Sequence, residues 1–488
     1  MKKLFDLFFG FLSPATRSSF LKTSTLYYFN ILFGFFNSLL TVRLFEVELF
    51  GVIQFYLAIS ELPTILVSEF NRIINRFGAL ESRENREKLF VSAMTSQLLG
   101  NMLLLVFGFL LFLSPMLSQK AIGTSADSAP QTFWLFIFYL FTNLSMTLFN
   151  GVNVYLLALK KLVLSQLNQT LLIFLNSLVL ISLLLSEVDK FNAVYAVLTF
   201  RNIVMLVLFV CLFRHIRLAG ELKLQTLSLS FIKESFLFTY HTYFKSYAIH
   251  FQVHSVFGFL KDKVAVLILG SLSNFEGAAY YQILRSLYAI PRKFVPVMFQ
   301  TFTSTLVSLH EKAPEAFKGK FLKSNFLQLG ANVVIAFVCL FFTSFILIIY
   351  DLPNSDQIYW IAFFQAVNLI YSAHANTMNF VLDLEKDSKG LMYAAILRST
   401  FVTIASFFLI ARYGAVGAAS AIALSCLLLV IFLSLRGRKS SLWKPQYNLY
   451  LLFVSIPIAG LLYLSVPLSQ SLYDIILPIT KHMLSFLL

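Results

Sequence analysis

Apolar runs long enough to cross a membrane follow one another along almost the whole chain. A transmembrane helix needs about 20 mostly apolar residues, and the sequence contains about fourteen such runs. The last two contain or border Pro457, Pro467 and Pro478, which indicates either two kinked spans or one re-entrant pair. The pattern predicts an all-α polytopic membrane protein. The predicted spans lie near residues 23–45, 50–70, 89–113, 132–158, 162–185, 193–213, 243–271, 277–308, 323–350, 357–382, 391–411, 414–435, 449–466 and 470–488.

The basic residues support this map because they gather in alternate connecting segments. With the N-terminus in the cytoplasm, the inner segments hold about 25 lysines and arginines. The outer loops hold only Lys120, Lys190 and Arg412. Lysine and arginine are enriched in cytoplasmic loops, so both termini are expected in the cytoplasm.

Composition excludes most soluble functions. The chain has 488 residues, of which 58% are hydrophobic and 12% charged, and its mean hydropathy is +0.79. The net charge of +15 is spread between apolar runs, not along one exposed stripe, so no nucleic-acid partner is expected. The pair Gly319-Lys320 lacks the rest of a phosphate-binding loop, which argues against ATP hydrolysis. No metal, cofactor or catalytic site is expected: the cysteines lie in apolar runs, and His250 and His254 have no further ligands.

The two halves of the chain resemble each other at a nearly constant offset, which predicts a parallel repeat of two lobes. Phe50-Gly51-Val52 opens the second span and Glu276-Gly277-Ala278 opens the eighth, and a proline, Pro63 or Pro291, follows each. The predicted domains are a cytoplasmic interfacial segment at 1–22, an N-lobe at 23–214, a cytoplasmic linker at 215–242, a C-lobe at 243–436 and two extra helices at 437–488.

Three segments resemble a known family. Phe259–Gly270, with its Asp-Lys pair before an apolar run and a glycine, and Phe275–Tyr281 are similar to the seventh and eighth helices of Wzx-type polysaccharide flippases. Tyr413–Ser420 resembles the small-residue opening of their twelfth helix. These flippases belong to the multidrug/oligosaccharidyl-lipid/polysaccharide exporter (MOP) superfamily.

The resemblance implies two six-helix lobes of the multidrug-exporter (MATE) type around a central cavity, followed by two further helices. It implies a bacterial inner-membrane transporter that flips an undecaprenyl-pyrophosphate-linked oligosaccharide for O-antigen, capsule or exopolysaccharide. The implied partners are this lipid-linked sugar, membrane lipids, and glycan polymerase and chain-length proteins. Because binding drives transport only by differential affinity for the two states, coupling to H⁺ or Na⁺ is also expected. The family's Asp-basic pair falls on Asp262 and Lys263.

Charged residues inside apolar runs are the candidate binding residues, because an intramembrane charge usually faces a cavity or a partner. A cationic cavity would suit a pyrophosphate. The alternative is local pairing, in which neighbouring carboxylates neutralise these cations; for Glu61 the partner would be Arg201 or another cation. The candidates are Arg285, Lys263, Arg398, Lys261 and Arg201 for substrate, Glu61 and Asp262 for a coupling ion, and Pro63 and Pro291 as hinges.

Three rival functions remain open. A drug or metabolite exporter would share the fold, but one for cationic drugs would need an anionic cavity. A flippase for the peptidoglycan precursor lipid II would share the overall plan, but the sequence lacks the N-terminal basic motifs of that branch. A membrane O-antigen polymerase or ligase would need a large charged outer loop, whereas the predicted outer loops are short and poor in charge.

Overall fold

The structure is a computed structural model, and it confirms the all-α fold: every regular element among the described residues is helical. Six of the described helices are long and apolar enough to cross a membrane. The count of about fourteen spans stays a prediction. The described residues are 14–61, 70–71, 73–74, 77–78, 81–113, 129–159, 161–186, 188–222, 228–272, 274–289, 314–350, 352–384, 387–437, 458–474 and 477–478.

Thirteen α-helices form the described part of the chain, and one π-helical stretch, Tyr240–Ala248, joins the seventh to the eighth. In chain order the helices are α1 Pro14–Phe45, α2 Val47–Ser60, α3 Arg83–Leu113, α4 Ala129–Ala158, α5 Leu162–Leu185, α6 Lys190–Leu218, α7 Leu229–Thr239, α8 Ile249–Ser271, α9 at 275–289, α10 Pro314–Tyr350, α11 Asp356–Leu384, α12 Ser388–Gly437 and α13 at 458–474.

Several helix ends have a clear local cause. Asp189 and Ser228 accept hydrogen bonds from the backbone amides of Asn192 and Phe231, which caps the starts of α6 and α7. Within α12 the backbone leaves helical geometry at Gly414, where φ is 56° and ψ is −132°. Such a positive φ favours glycine. The break falls where the sequence predicts that one span ends and the next begins.

The described residues form two compact units. The first comprises those within 1–40, 66–107 and 134–248, and its core includes the fully buried Ile73, Leu89 and Tyr155. The buried Tyr155 hydroxyl donates to the backbone oxygen of Glu221 at 3.0 Å, so it retains a partner in the core. The second unit comprises the described residues within 41–65, 108–133 and 249–488. The predicted lobe boundaries stay a prediction.

Two glycines allow α2 to approach α8 and α9 closely within the second unit. A Cβ atom on Gly51 would lie 2.0 Å from the backbone oxygen of Phe275, and one on Gly270 would lie 2.2 Å from the ring of Phe55. The Phe55 and Phe275 rings also pack edge to face at 6.0 Å. The starts of α2 and α9, which the predicted repeat aligns, thus contact each other. The contact of Phe55 with Gly270 holds α2 against α8.

Candidate functional site

Five of the predicted residues form one ion-pair cluster in the second unit. Lys263 Nζ lies 2.6 Å from Glu61 Oε2, which links α8 to the C-terminal cap of α2. Arg285 Nη2 on α9 lies 2.9 Å from Asp262 Oδ1, and its Nη1 donates to the backbone oxygen of Asp262. Lys261 Nζ lies 3.5 Å from the same carboxylate oxygen. Three helices therefore bring three cations and two carboxylates together.

The hairpin of α8 and α9 explains why Arg285 contacts Asp262. The two helices are joined by a short connection at 272–274. Asp262 lies about 14 Å before the end of α8, and Arg285 lies about 15 Å after the start of α9. Residues equally distant from the turn of an antiparallel hairpin lie at the same depth, so the local sequence alone predicts this contact.

The cations of this cluster are paired with neighbouring carboxylates, which was the alternative to an unpaired cationic cavity. Lys263 pairs with Glu61, and Arg285 pairs with Asp262. Glu61 thus has a cation from α8 as its partner. With all five groups ionised, the three cations exceed the two carboxylates by one charge. The Asp262 side chain is 41% exposed, so the packed helices do not enclose the carboxylate that joins Lys261 to Arg285.

Two predicted cations lie apart from this cluster. Arg398 on α12 is buried, at 6% exposed, and its contacts are neutral: Nε lies 3.4 Å from Ser425 Oγ, and Nη2 lies 3.5 Å from Asn368 Oδ1. Arg201 on α6 belongs to the first unit, where it is half-buried near Tyr139. The predicted hinges Pro63 and Pro291 lie outside the described residues.

The sequence analysis did not identify the polar residues that lie beside two of the predicted cations, Arg285 and Arg398. Tyr281 is fully buried one turn before Arg285, close to its guanidinium. The i, i+4 spacing is a signal that could have identified it. Asn368 and Ser425 contact Arg398, and Gln365 is buried one turn from Asn368. All three are isolated polar residues in apolar runs, which commonly mark contacts between helices.

Lys88 and Asp387 form three further ion pairs near the ends of predicted spans. Lys88 Nζ lies 2.7 Å from Glu234 and 3.1 Å from Glu84, and the hydrogen bond with Glu234 is the main cause that raises the pKa of Lys88. Asp387 receives Nε and Nη2 of Arg436 at 3.0 and 3.2 Å. Burial opposes ionisation of Asp387, but the bonds from Arg436 and the Gly390 amide outweigh it and lower its pKa.

Solved structures show which class of fold this is. No protein-family model matches the sequence, and no curated protein matches it. The structure is nevertheless similar over most of its length to transporters of the MOP superfamily. An inward-facing multidrug resistance MATE family transporter aligns with a TM-score of 0.59 and 14% identity, covering 84% of this chain and 96% of its own. A MOP superfamily transporter from Pyrococcus furiosus, described as having a binding pocket of reversed polarity, aligns with a TM-score of 0.56 and 14% identity, over 86% of this chain and 94% of its own.

A flippase shares this fold as well. The lipid II flippase MurJ, in an inward closed conformation, aligns with a TM-score of 0.68 and 14% identity, covering 94% of this chain and 98% of its own. At this identity the likeness concerns the fold. The chain therefore has the fold of the MOP superfamily transporters, one that both lipid-linked-cargo flippases and multidrug exporters adopt.

Proposed function

We propose that this protein is a flippase that moves an undecaprenyl-pyrophosphate-linked oligosaccharide across the bacterial inner membrane by alternating access. The cargo would be a repeat unit for O-antigen, capsule or exopolysaccharide. The observation that carries the proposal is the cluster of Lys261, Lys263 and Arg285 with two carboxylates, which leaves one positive charge in excess. A diphosphate is the anion that such a cluster suits, because arginine binds phosphate oxygens through paired hydrogen bonds and lysine acts as a point charge.

The ion pairs supply the mechanism of binding and release. A diphosphate entering the cluster would replace Glu61 at Lys263 and Asp262 at Arg285, so no cation would need to be buried without a partner. Return of the carboxylates would release the cargo. Since a ligand drives a conformational change only by binding the two states differently, a net direction requires coupling. A proton or Na⁺ on Glu61 or Asp262 would provide it.

Lipid II is the second candidate cargo, because the structural likeness to the lipid II flippase MurJ favours it. The cationic excess suits an anionic cargo, and it argues against an exporter of cationic drugs. Glycan polymerase and chain-length proteins would then use the flipped repeat unit. Pro63 and Pro291 are the proposed hinges, and Arg201 and Arg398 are the further proposed substrate contacts.

Complementation tests the proposal and separates the two cargoes. The gene is expressed in one strain that lacks its O-antigen flippase and in another depleted of its lipid II flippase. The proposal predicts restored surface glycan in the first strain. Arg285→Ala, at unchanged expression, should reduce that glycan at least tenfold, because it removes the guanidinium that would hold the diphosphate.

Arg412→Ala is the matched control. Arg412 is exposed, and its guanidinium lies 5.4 Å from the Tyr413 ring centroid, outside the cluster. This variant should behave like the wild type. Full surface glycan with both Arg285→Ala and Arg398→Ala would refute the role of the cations. Rescue of only the lipid II strain would replace the proposed cargo with lipid II.

A further inference from the structure

Arg398 is a buried charge whose observed partners are neutral. The residue is 6% exposed, and both its hydrogen bonds, to Ser425 Oγ at 3.4 Å and to Asn368 Oδ1 at 3.5 Å, are at the long limit for such bonds. A guanidinium has five N–H donors and stays protonated in proteins. Among the described residues no carboxylate lies within 4.0 Å of it, so no described side chain balances its charge with an ion pair.

The helices packed against α12 do not supply the missing negative charge. α12 packs mainly against α11 and α8, and its own sequence contains no Asp or Glu. The acidic residues of α11, Asp356 and Asp383, are about 18 and 22 Å along the helix from Asn368. Asp262, the acidic residue of α8, contacts Arg285 and Lys261 instead. Because the described helices supply no carboxylate to Arg398 and an uncompensated charge at this depth is costly, an anion from outside the chain would stabilise it.

Unused hydrogen-bond donors point to the same conclusion. Gln365 lies one turn from Asn368, on the same face of α11, and its Nε2 has no partner although the residue is 3% exposed. The Ser399 hydroxyl, next to Arg398 in the chain, is also buried without a partner. Buried polar groups normally have partners. The Arg398 guanidinium and the neighbouring face of α11 thus carry buried N–H donors without acceptors, and such donors are what an anion requires.

We infer that Arg398, with Gln365 and Asn368, forms a binding site for a small inorganic anion of the halide class. A halide needs only donors around it, and it can enter a closed site that a tethered group cannot. The cations of the ion-pair cluster are partly exposed, whereas Arg398 is buried. The cargo's diphosphate is attached to a sugar and a polyprenyl chain, so the exposed cluster is the better place for it.

The occupant would balance Arg398 and stabilise the packing of α11 on α12. This inference refines the proposed role of Arg398, from cargo contact to anion site. It does not depend on the identity of the cargo, because a halide site in this bundle would exist whether the protein moves a lipid-linked sugar or another solute.

The test is thermal unfolding of the full-length protein in detergent, in sodium gluconate and with gluconate replaced stepwise by sodium bromide at constant ionic strength. A ligand that binds only the folded state raises the midpoint, here by about 2 °C or more at saturation. Arg398→Gln should lose this bromide-dependent rise, and the same change at the exposed Arg412, Arg412→Gln, should retain it. Anomalous scattering from bromide at Arg398 would locate the ion directly.

Two results would overturn the inference. One is a wild-type midpoint that does not respond to bromide, and the other is an undiminished response in Arg398→Gln. A rise with sodium pyrophosphate but not with bromide, lost in Arg398→Gln, would instead identify a phosphate site. If Arg398→Gln does not fold, Gln365→Leu and Arg398→Lys should each raise the half-saturating bromide concentration at least fivefold, and unchanged values in both would contradict the site.

Discussion

At the scale of the residue, the ion pair of Glu61 and Lys263 joins two side chains for which the sequence predicts separate functions. The sequence indicates a mid-membrane carboxylate and a mid-membrane lysine, each with a functional interpretation of its own. The structure joins them at 2.6 Å, with Lys263 21% and Glu61 31% exposed. A ligand can therefore bind Lys263 only in competition with Glu61, and the net charge at this position depends on both side chains.

Glu61→Gln tests this coupling. The change removes the carboxylate that competes for Lys263, so the affinity for a soluble pyrophosphate probe should rise about fivefold, the value of a modest ion pair. Cargo release should slow, because the competing carboxylate is absent. Isothermal titration of the purified protein measures the affinity. Glu48→Gln, an exposed acid in the first turn of α2, is the control and should leave the affinity unchanged. Equal affinities for both variants and the wild type would show that Glu61 does not compete with the ligand.

At the scale of the element, α2 depends on two glycines for its place against α8 and α9. The contact of Gly51 with the Phe275 backbone oxygen leaves no room for a methyl group, and backbone atoms cannot move aside as a flexible side chain can. This contact also positions the C-terminal end of α2, where Glu61 pairs with Lys263.

Gly51→Ala should therefore destabilise the protein by about 1–3 kcal/mol through overpacking. Gly330→Ala is the control, since Gly330 lies exposed on α10 and an added Cβ meets no atom within 4 Å. A glycine-to-alanine change in a helix is otherwise stabilising by about 0.5–1 kcal/mol, so the two variants should shift the unfolding midpoint in opposite directions. A midpoint for Gly51→Ala at or above the wild type would contradict the close packing.

A second element-scale contact joins the start of α12 to its end. Asp387 accepts from the Gly390 amide at the helix start and from Arg436 in the last turn. Asp387→Asn keeps the capping capacity and removes the charge, so unfolding should become easier by about 1 kcal/mol, the value expected for a partly exposed pair. Asp189→Asn, the same change at the cap of α6, should have a smaller effect.

The pH dependence of this pair follows from the lowered pKa of Asp387. A carboxylate with a lowered folded-state pKa contributes stability that is fully present above its ordinary value of 3.8 and is lost as the pH falls through the lower folded value. The difference between wild type and Asp387→Asn should be constant from about pH 5 to pH 8 and should shrink below about pH 4. Thermal unfolding across this range measures it, and a difference that already vanishes at pH 6 would contradict the assignment.

At the scale of the whole molecule, the sequence predicts the fold class well because the bilayer imposes strong rules. Runs of apolar residues and the alternation of basic loops are enough to predict a polytopic helical protein. The break at Gly414 and the Arg285–Asp262 contact can also be predicted from the sequence, because both depend on residues that are close in the chain. Such features need no knowledge of tertiary packing.

Other features of the molecule depend on packing that the sequence does not display. The Glu61–Lys263 pair joins residues far apart in the chain, and the absence of a described carboxylate beside Arg398 is a property of three packed helices. The sequence analysis also did not predict the π-helical stretch Tyr240–Ala248. Pairing between distant helices decides which intramembrane cations are balanced, and therefore which of them can take part in binding.

Binding measurements test most directly whether the cations of the ion-pair cluster hold the diphosphate of the cargo. A short-chain polyprenyl diphosphate oligosaccharide is compared with its monophosphate and with a neutral polyprenyl glycoside. Binding is measured in detergent for the wild type and for the double variant Lys263→Gln/Arg285→Gln. The affinity of the wild type should fall in the order diphosphate, monophosphate, neutral glycoside. The double variant should lose the preference for the diphosphate. Equal affinity of the wild type for all three ligands would contradict this role of the cations.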